Sequence, residues 1–457
     1  MKPSTPKGTK DFLPKELSKR NYVIDVLKKN FEAYGFDEID TPSLENNSTL
    51  LGKYGDEGDR LIFRVLNSGD KIKKADLESF QKKDFTKFVS SLSNKGLRYD
   101  LTVPLARFVS QHQNEIIFPF KRYQIQNVWR ADRPQKGRFQ EFTQCDVDVV
   151  GSKSIIQEIE LLNLYDSVFN ELGLNDIVIK INHRSILISV AKYFGFNDQS
   201  INDFITVIDK IEKIGVESAC KELSFRKKNL SKKTFYDLFD NELISLETLK
   251  PILRNIENFE EGSFEIKQIL DFFSKKNTLK NKLVFDLKLA RGLNYYTGLI
   301  VEVITQTNDF GSIGGGGRYD NLISLSKFKN VSGIGISFGL DRICIEMERQ
   351  NLFHDQSKNK NILIVNFGLK FLTKLYPLIN SLRKHDFNVD IYQEENKLNK
   401  QLSYANKHGI AYVLIMGENE SKTNSVLVKN MKTGLQYSKE ITDIDIKNFL
   451  NCSEGET

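Results

Sequence analysis

The chain has 457 residues, 40% hydrophobic and 11% aromatic, which is enough apolar material for roughly two to four domains and excludes a disordered polypeptide. Lys and Arg exceed Asp and Glu by 66 − 60 = 6, a surplus compatible with a nucleic-acid partner but too small to indicate one. Four dispersed cysteines and five scattered histidines form no CxxC or HExxH, which argues against a disulfide framework or a dedicated metal site. The N-terminus lacks an apolar leader core and no run reaches about 18 apolar residues, so a cytoplasmic protein without membrane contact is expected.

In chain order, Tyr22, Val23, Val26, Leu27 and Phe31 recur at helical spacing and predict a helix over 17–34, stopped by Gly35. FDEIDTP follows as an extended piece, with Pro42 suited to a sheet edge. Residues 70–96 are lysine-rich and polar, and read as an exposed insertion. Over 139–150, Phe142, Cys145, Val147 and Val149 alternate with polar neighbours, as in a half-buried strand. A helix is expected over 155–172 and a helical insertion over 195–280. Strand signals return at LVFDLKLA, LIVEVITQ and GIGISFG, the last running into the helix LDRICIEMERQ.

Beyond a break at 351–361, strands at NILIVNFG, FNVDIYQ and AYVLIMGENE alternate with helices at 370–384 and 396–408. This pattern predicts a small α/β domain over 361–457 with a mostly parallel sheet. Residues 1–350 instead predict an α+β domain, because strands close in sequence favour an antiparallel sheet.

Four stretches carry the candidate chemistry. In WRADRPQKGRFQEF, Arg130, Arg133, Lys136 and Arg138 concentrate positive charge on a turn between two strands, followed by Gln144, Asp146 and Asp148 on one strand face. Such a turn is either solvated or faces an anion. GSIGGGGRYD brings four consecutive glycines, which allow close backbone approach, yet it fits neither a P-loop nor a dinucleotide fingerprint. In GISFGLDR, Arg342 falls in the first turn of a helix, where the dipole disfavours a cation unless an anion shares the site. ARGLNYYTG interrupts apolar strands with Arg291, Tyr295 and Tyr296: a paired core arginine, or one facing a bound anion.

Together GFDEIDTP, WRADRPQKGRFQEF and GISFGLDR resemble the three signature motifs of class II aminoacyl-tRNA synthetases. DLT at 100–102, ARGLNYYTG and GGGGRYD narrow the resemblance to the histidyl-tRNA synthetase family, over nearly the whole chain. The resemblance implies a catalytic domain bearing the helical insertion and a C-terminal anticodon-binding domain. It also implies ATP-dependent activation of histidine, transfer to tRNA(His), and a homodimer formed through the first motif.

By the same resemblance, Arg130 and Arg291 are catalytic, at the substrate carboxylate and α-phosphate. Arg138 and Arg342 hold the outer phosphates, Phe142 stacks on adenine, and Asp132 belongs to the ATP set. Asp100 and Thr102, together with Gln144, hold the histidine ammonium and Leu101 belongs to the same histidine-binding set, while Asp148, Tyr295 and Tyr296 meet the imidazole with Tyr319 nearby. Arg133, Gln135 and Lys136 contact the tRNA acceptor end, and Mg2+ accompanies ATP without a protein cage. Asp132 stands where the wider class often carries glutamate, and Asp148 matches the branch with aspartate at its position. A synthetase-like regulatory subunit of histidine biosynthesis is the alternative. Such paralogues generally lose basic catalytic positions and the anticodon domain, whereas Arg130, Arg138, Arg291, Arg342 and the tail are all present.

Overall fold

The computed structural model describes residues 3–52, 59–134, 137–227, 230–241, 244–276, 279–291, 296–307, 311–320, 331–353 and 361–441. Gln135, Lys136 and Tyr295 therefore lie outside the described residues. The chain divides into two compact units, Met1–Leu352 and Phe353–Thr457.

The strands of the first unit are β1 (Asp37–Glu38), β2 (Leu44–Asn46), β3 (Arg64–Val65), β4 (Lys95–Leu97), β5 (Phe120–Trp129), β6 (Glu141–Val150), β7 (Ile177–His183), β8 (Lys282–Phe285), β9 (Leu299–Thr305), β10 (Gly314–Arg318) and β11 (Gly333–Gly339). Eight of them form one sheet in the order β1-β5-β6-β11-β10-β9-β7-β8. The interior pairs are antiparallel, as expected, but β1 on β5 and β7 on β8 are parallel. Parallel neighbours need a long crossover. For β7 and β8 that crossover is the helical insertion, whose helices fall between Arg184–Tyr193 and Phe259–Lys276.

The helix predicted over 17–34 spans Pro14–Ala33, with Pro14 in its first turn and Gly35 at φ +76° beyond its end. Its stripe Val23, Leu27 and Phe31 is fully buried. Phe31 meets Phe338 of β11 at 5.5 Å between ring centroids and Tyr123 of β5 at 5.4 Å. Helix Ile156–Glu171 packs beside it, placing Tyr165 4.7 Å and Phe169 5.7 Å from Phe338. Because these helices cover one face, β6 differs from the half-buried strand expected: from Cys145 to Val150 both faces are buried. Its second face carries acids that other polar groups enclose, a partnership that alternation cannot reveal.

The polar stretch 70–96 is folded. Helices Leu77–Gln81 and Phe85–Leu92 are capped by Asp76 accepting from the Ser79 N–H at 2.9 Å and Asp84 from the Lys87 N–H at 3.0 Å. β4 then closes a three-stranded sheet between β2 and β3.

The second unit holds β12 (Asn361–Ile364), β13 (Asn388–Ile391), β14 (Tyr412–Ile415), β15 (Ser425–Asn430) and β16 (Gln436–Glu440), in the order β13-β12-β14-β15-β16. The first three are parallel and the last two add antiparallel. Alternation sorts β12 and β14 between two cores. Ile362, Ile364 and Leu414 pack with Leu375, Ile379 and Leu382 of helix Leu369–Lys384. Leu363, Val413 and Ile415 face Ala405 of helix Leu398–Lys407. No helix among the described residues is long and apolar enough to cross a membrane.

Candidate active site

The turn between β5 and β6 opens onto a cleft of about 820 Å³ lined by Arg130, Arg138, Arg291 and Arg342. Each guanidinium is held in place. Arg130 donates its Nε to the Tyr99 carbonyl at 3.0 Å and lies over the Tyr99 and Phe142 rings, 4.4 and 5.1 Å from their centroids. Arg138 pairs with Asp132 at 3.0 Å. Arg342, in the first turn of helix Leu340–Arg349, donates to the Gly137 carbonyl at 3.2 Å and the Ser312 carbonyl at 2.7 Å. Arg291 donates to the Val301 carbonyl at 3.4 Å and has Glu302 at 3.8 Å.

Arg342 is held below the ordinary guanidinium value, first by burial and then by the charges of Arg138, Arg291 and Arg130, with Glu302 opposing them. Like charges converging in a half-enclosed cleft form a trap for a polyanion. Asp132, Phe142, Gln144 and Glu302 share the cleft wall. Arg133 is exposed on the turn.

The glycine-rich strands now have a steric reason. An ideal Cβ on Gly315 would sit 1.9 Å from Arg291 Nη1, and one on Gly335 would sit 1.9 Å from Asp148 Oδ1. The glycines make room for the two side chains that the motifs single out.

The remaining candidates do not line the cleft. Asp100, Leu101, Asp148, Tyr296 and Tyr319 are buried beside it. The Tyr319 hydroxyl donates to Asp148 Oδ1, and Arg122 pairs with Asp148 Oδ2 at 2.7 Å. Thr102 opens helix Thr102–Gln111, whose Val103 N–H donates to Asp100 Oδ1 at 3.0 Å. Gln144 connects the two zones: it lines the cleft and donates to Asp146 Oδ1 at 3.4 Å.

Asp146 is pushed up to about 7, first by burial and then by Asp148. The unfolded chain releases this proton near the ordinary value of 3.8, so native stability falls as pH rises from there to about 7 and carries the full penalty above it. Asp146→Asn is therefore expected to melt several degrees above the parent protein near pH ~8 and to converge with it near pH ~4. Equal melting differences at both pH values would contradict this.

Sequence reasoning missed several residues in the cleft and in the buried set beside it. Glu302 was legible in principle, as the lone acid of LIVEVIT. Arg122, in KRYQIQ, offers no such contrast. The insertion supplies another wall with Asp209, Glu212 and Lys213, and Lys180 of β7 bridges Glu212 at 3.0 Å and Asp286 at 2.9 Å. No group of three or more His, Cys, Asp or Glu among the described residues could hold a metal ion.

Residues 73–343 match the family model of histidyl-tRNA synthetase, and 361–451 match that of an anticodon binding domain. The chain belongs to the histidyl-tRNA synthetase family. Two relatives named histidine–tRNA ligase span nearly the same length. That of Christiangramia forsetii is 49% identical over 97% of this chain and 98% of its own, and that of Flavobacterium johnsoniae is 46% identical over 96% and 97%. The histidyl-tRNA synthetase structure from Nostoc sp. PCC 7120 superposes with a TM-score of 0.81 at 26% identity, covering 99% of this chain and all of that one. A Bacillus halodurans structure described as an ATP phosphoribosyltransferase regulatory subunit/histidyl-tRNA synthetase shares the fold, with a TM-score of 0.71 at 19% identity.

Proposed function

We propose that the chain is a histidine–tRNA ligase whose nucleotide lies in the arginine-lined cleft and whose histidine reaches toward Asp148. The observation that carries this reading is the convergence of Arg130, Arg138, Arg291 and Arg342 on one cleft, beside a buried set of acids. In the first step an oxygen of the histidine carboxylate attacks the α-phosphorus, a new P–O bond forms, and pyrophosphate leaves. In the second, a ribose hydroxyl at the tRNA 3′ end attacks the carbonyl carbon and AMP leaves. The carboxylate nucleophile is already ionised, so positioning and charge stabilisation do the catalytic work.

Arg130 and Arg291 flank the reacting carboxylate and α-phosphate. Arg138 and Arg342 grip the outer phosphates, where a planar guanidinium can bind two oxygens at once. Phe142 stacks on adenine against Arg130. Asp100, Leu101, Thr102 and Gln144 serve the ammonium side, and Asp148, Tyr295, Tyr296 and Tyr319 the imidazole. Magnesium fits here as a companion of ATP, since Asp132 and Glu302 line the cleft and could each lend it an oxygen. When bound it neutralises phosphate charge.

The second unit would recognise the anticodon, and Arg133, Gln135 and Lys136 the acceptor end. A cytoplasmic homodimer formed through the first motif completes the reading.

Histidine-dependent ATP–pyrophosphate exchange, followed by charging of tRNA(His), tests it. Activity in both supports a ligase, whereas histidine binding without exchange would support the regulatory-subunit reading. Arg138→Ala is expected to raise the KM for ATP about 10-fold with the KM for histidine little changed, as loss of one charge-assisted phosphate contact requires. Initial-rate exchange measured against each substrate checks this.

A further inference from the structure

We propose that Arg122 is a specificity-determining positioning residue: it ties Asp148 to the 100–102 turn and orients that carboxylate for the imidazole. The proposal rests on the reading above, in which Asp148 meets the histidine ring.

Arg122 of β5 stands directly opposite Asp148 of β6 in the ladder. Cross-strand partners project to the same side of a sheet. The guanidinium is fully buried, does not line the cleft, and places Nη2 2.7 Å from Asp148 Oδ2. The same Nη2 donates to the Leu101 carbonyl at 3.3 Å. One cation thus touches both segments assigned to histidine. On the other side of Asp148, Tyr319 donates to Oδ1 and Gly335 leaves the space that a Cβ would fill.

Burying a guanidinium is expensive, and an apolar pair often replaces such a bridge without loss of stability. What makes a cation necessary here is the company Asp148 keeps. Asp100, Asp146 and Asp148 are 3%, 4% and 3% exposed. Asp148 sits above the ordinary carboxylate value: desolvation pushes it up, with Asp100 adding to it, and Arg122 and then Tyr319 offset part of that rise. The protonation state matters for recognition, because an ionised carboxylate can only accept hydrogen bonds and so suits a ring N–H. A protonated acid would present its own hydrogen to that N–H.

The test uses full-length protein in histidine-dependent pyrophosphate exchange. Arg122→Met is expected to raise the KM for histidine on the order of 30-fold while the KM for ATP stays within about 2-fold. The acidic limb of kcat/KM for histidine should move up by about one pH unit or more, because Asp148 then needs higher pH to ionise. Arg122→Lys should recover part of both effects, which a role in packing alone would not require. Asp148→Asn and the double variant Arg122→Met/Asp148→Asn complete the set.

If Arg122 acts through Asp148, the double variant matches Asp148→Asn in histidine KM. It also remains readable if Arg122→Met alone fails to fold, because both charges are gone. A further loss in the double variant beyond Asp148→Asn would overturn the proposal. So would an unchanged histidine KM in folded Arg122→Met while Asp148→Asn is impaired. An unchanged histidine KM in Asp148→Asn itself would instead sink the underlying assignment.

Discussion

Arg291→Lys is expected to lower histidine-dependent pyrophosphate exchange by about 10²–10³-fold while leaving the melting temperature nearly unchanged. The charge survives in this variant, so the loss isolates shape. Arg291 enters a notch that exists because Gly315 has no side chain, donates to the Val301 carbonyl at 3.4 Å and keeps Glu302 at 3.8 Å. In the proposed mechanism its planar fork meets two phosphate or carboxylate oxygens together. A lysine ammonium is a point charge on a flexible stem, and cannot keep a backbone anchor while gripping a planar ligand with a fixed fork. Exchange rates and thermal melts on the same preparation decide the matter. Near-normal exchange in a folded Arg291→Lys protein would remove this residue from the mechanism.

The second large effect concerns stability, and it arises one residue from the notch. Gly316→Ala is expected to destabilise the first unit by about 3 kcal/mol, as overpacking at a site with no room to give commonly does. An ideal Cβ on Gly316 would lie 2.1 Å from the Gly335 carbonyl oxygen and 2.7 Å from the Ile336 Cα. Both atoms belong to the backbone of β11, which the ladder to β10 and β6 holds on either side. Relief would require parting strands at the middle of the sheet. Gly315→Ala offers the contrast, since the nearest atoms to its Cβ would be the far end of the Arg291 side chain, which can swing away. Adjacent glycines should thus separate cleanly in urea unfolding and in exchange: Gly316→Ala loses fold, and Gly315→Ala loses activity.

What the sequence revealed depended on how local the governing physics was. Helix Pro14–Ala33 was readable because its stripe and its glycine stop lie within one segment. The alternating strands and helices of the second unit were readable for the same reason. The parallel edges of the large sheet were not, because nothing in β1 or β7 records which distant strand will lie alongside. The strand β6 is more buried than its pattern suggests because its polar residues look solvated until Arg122 and Ser337 of neighbouring strands, and Tyr319 just beyond β10, are brought against them. The four arginines were recognisable by residue type and motif. Their convergence, and the contribution of Glu302 and of the insertion to the same cleft, depend on register and could not be read from spacing.

The crossover from β7 to β8 also bears on the order in which the molecule assembles. His183 ends one strand and Lys282 begins its parallel neighbour, so that sheet edge forms only when residues about a hundred positions apart meet. Closing so long a loop is slow, and prior helix formation in the intervening stretch shortens the effective distance to be closed. Arg291 follows β8 by only a few residues. The arginine that completes the cationic cleft is therefore expected to be delivered late, after the helices of the insertion have condensed. A nascent or partly folded chain would then lack a working nucleotide trap, and ATP binding would report the last stage of folding.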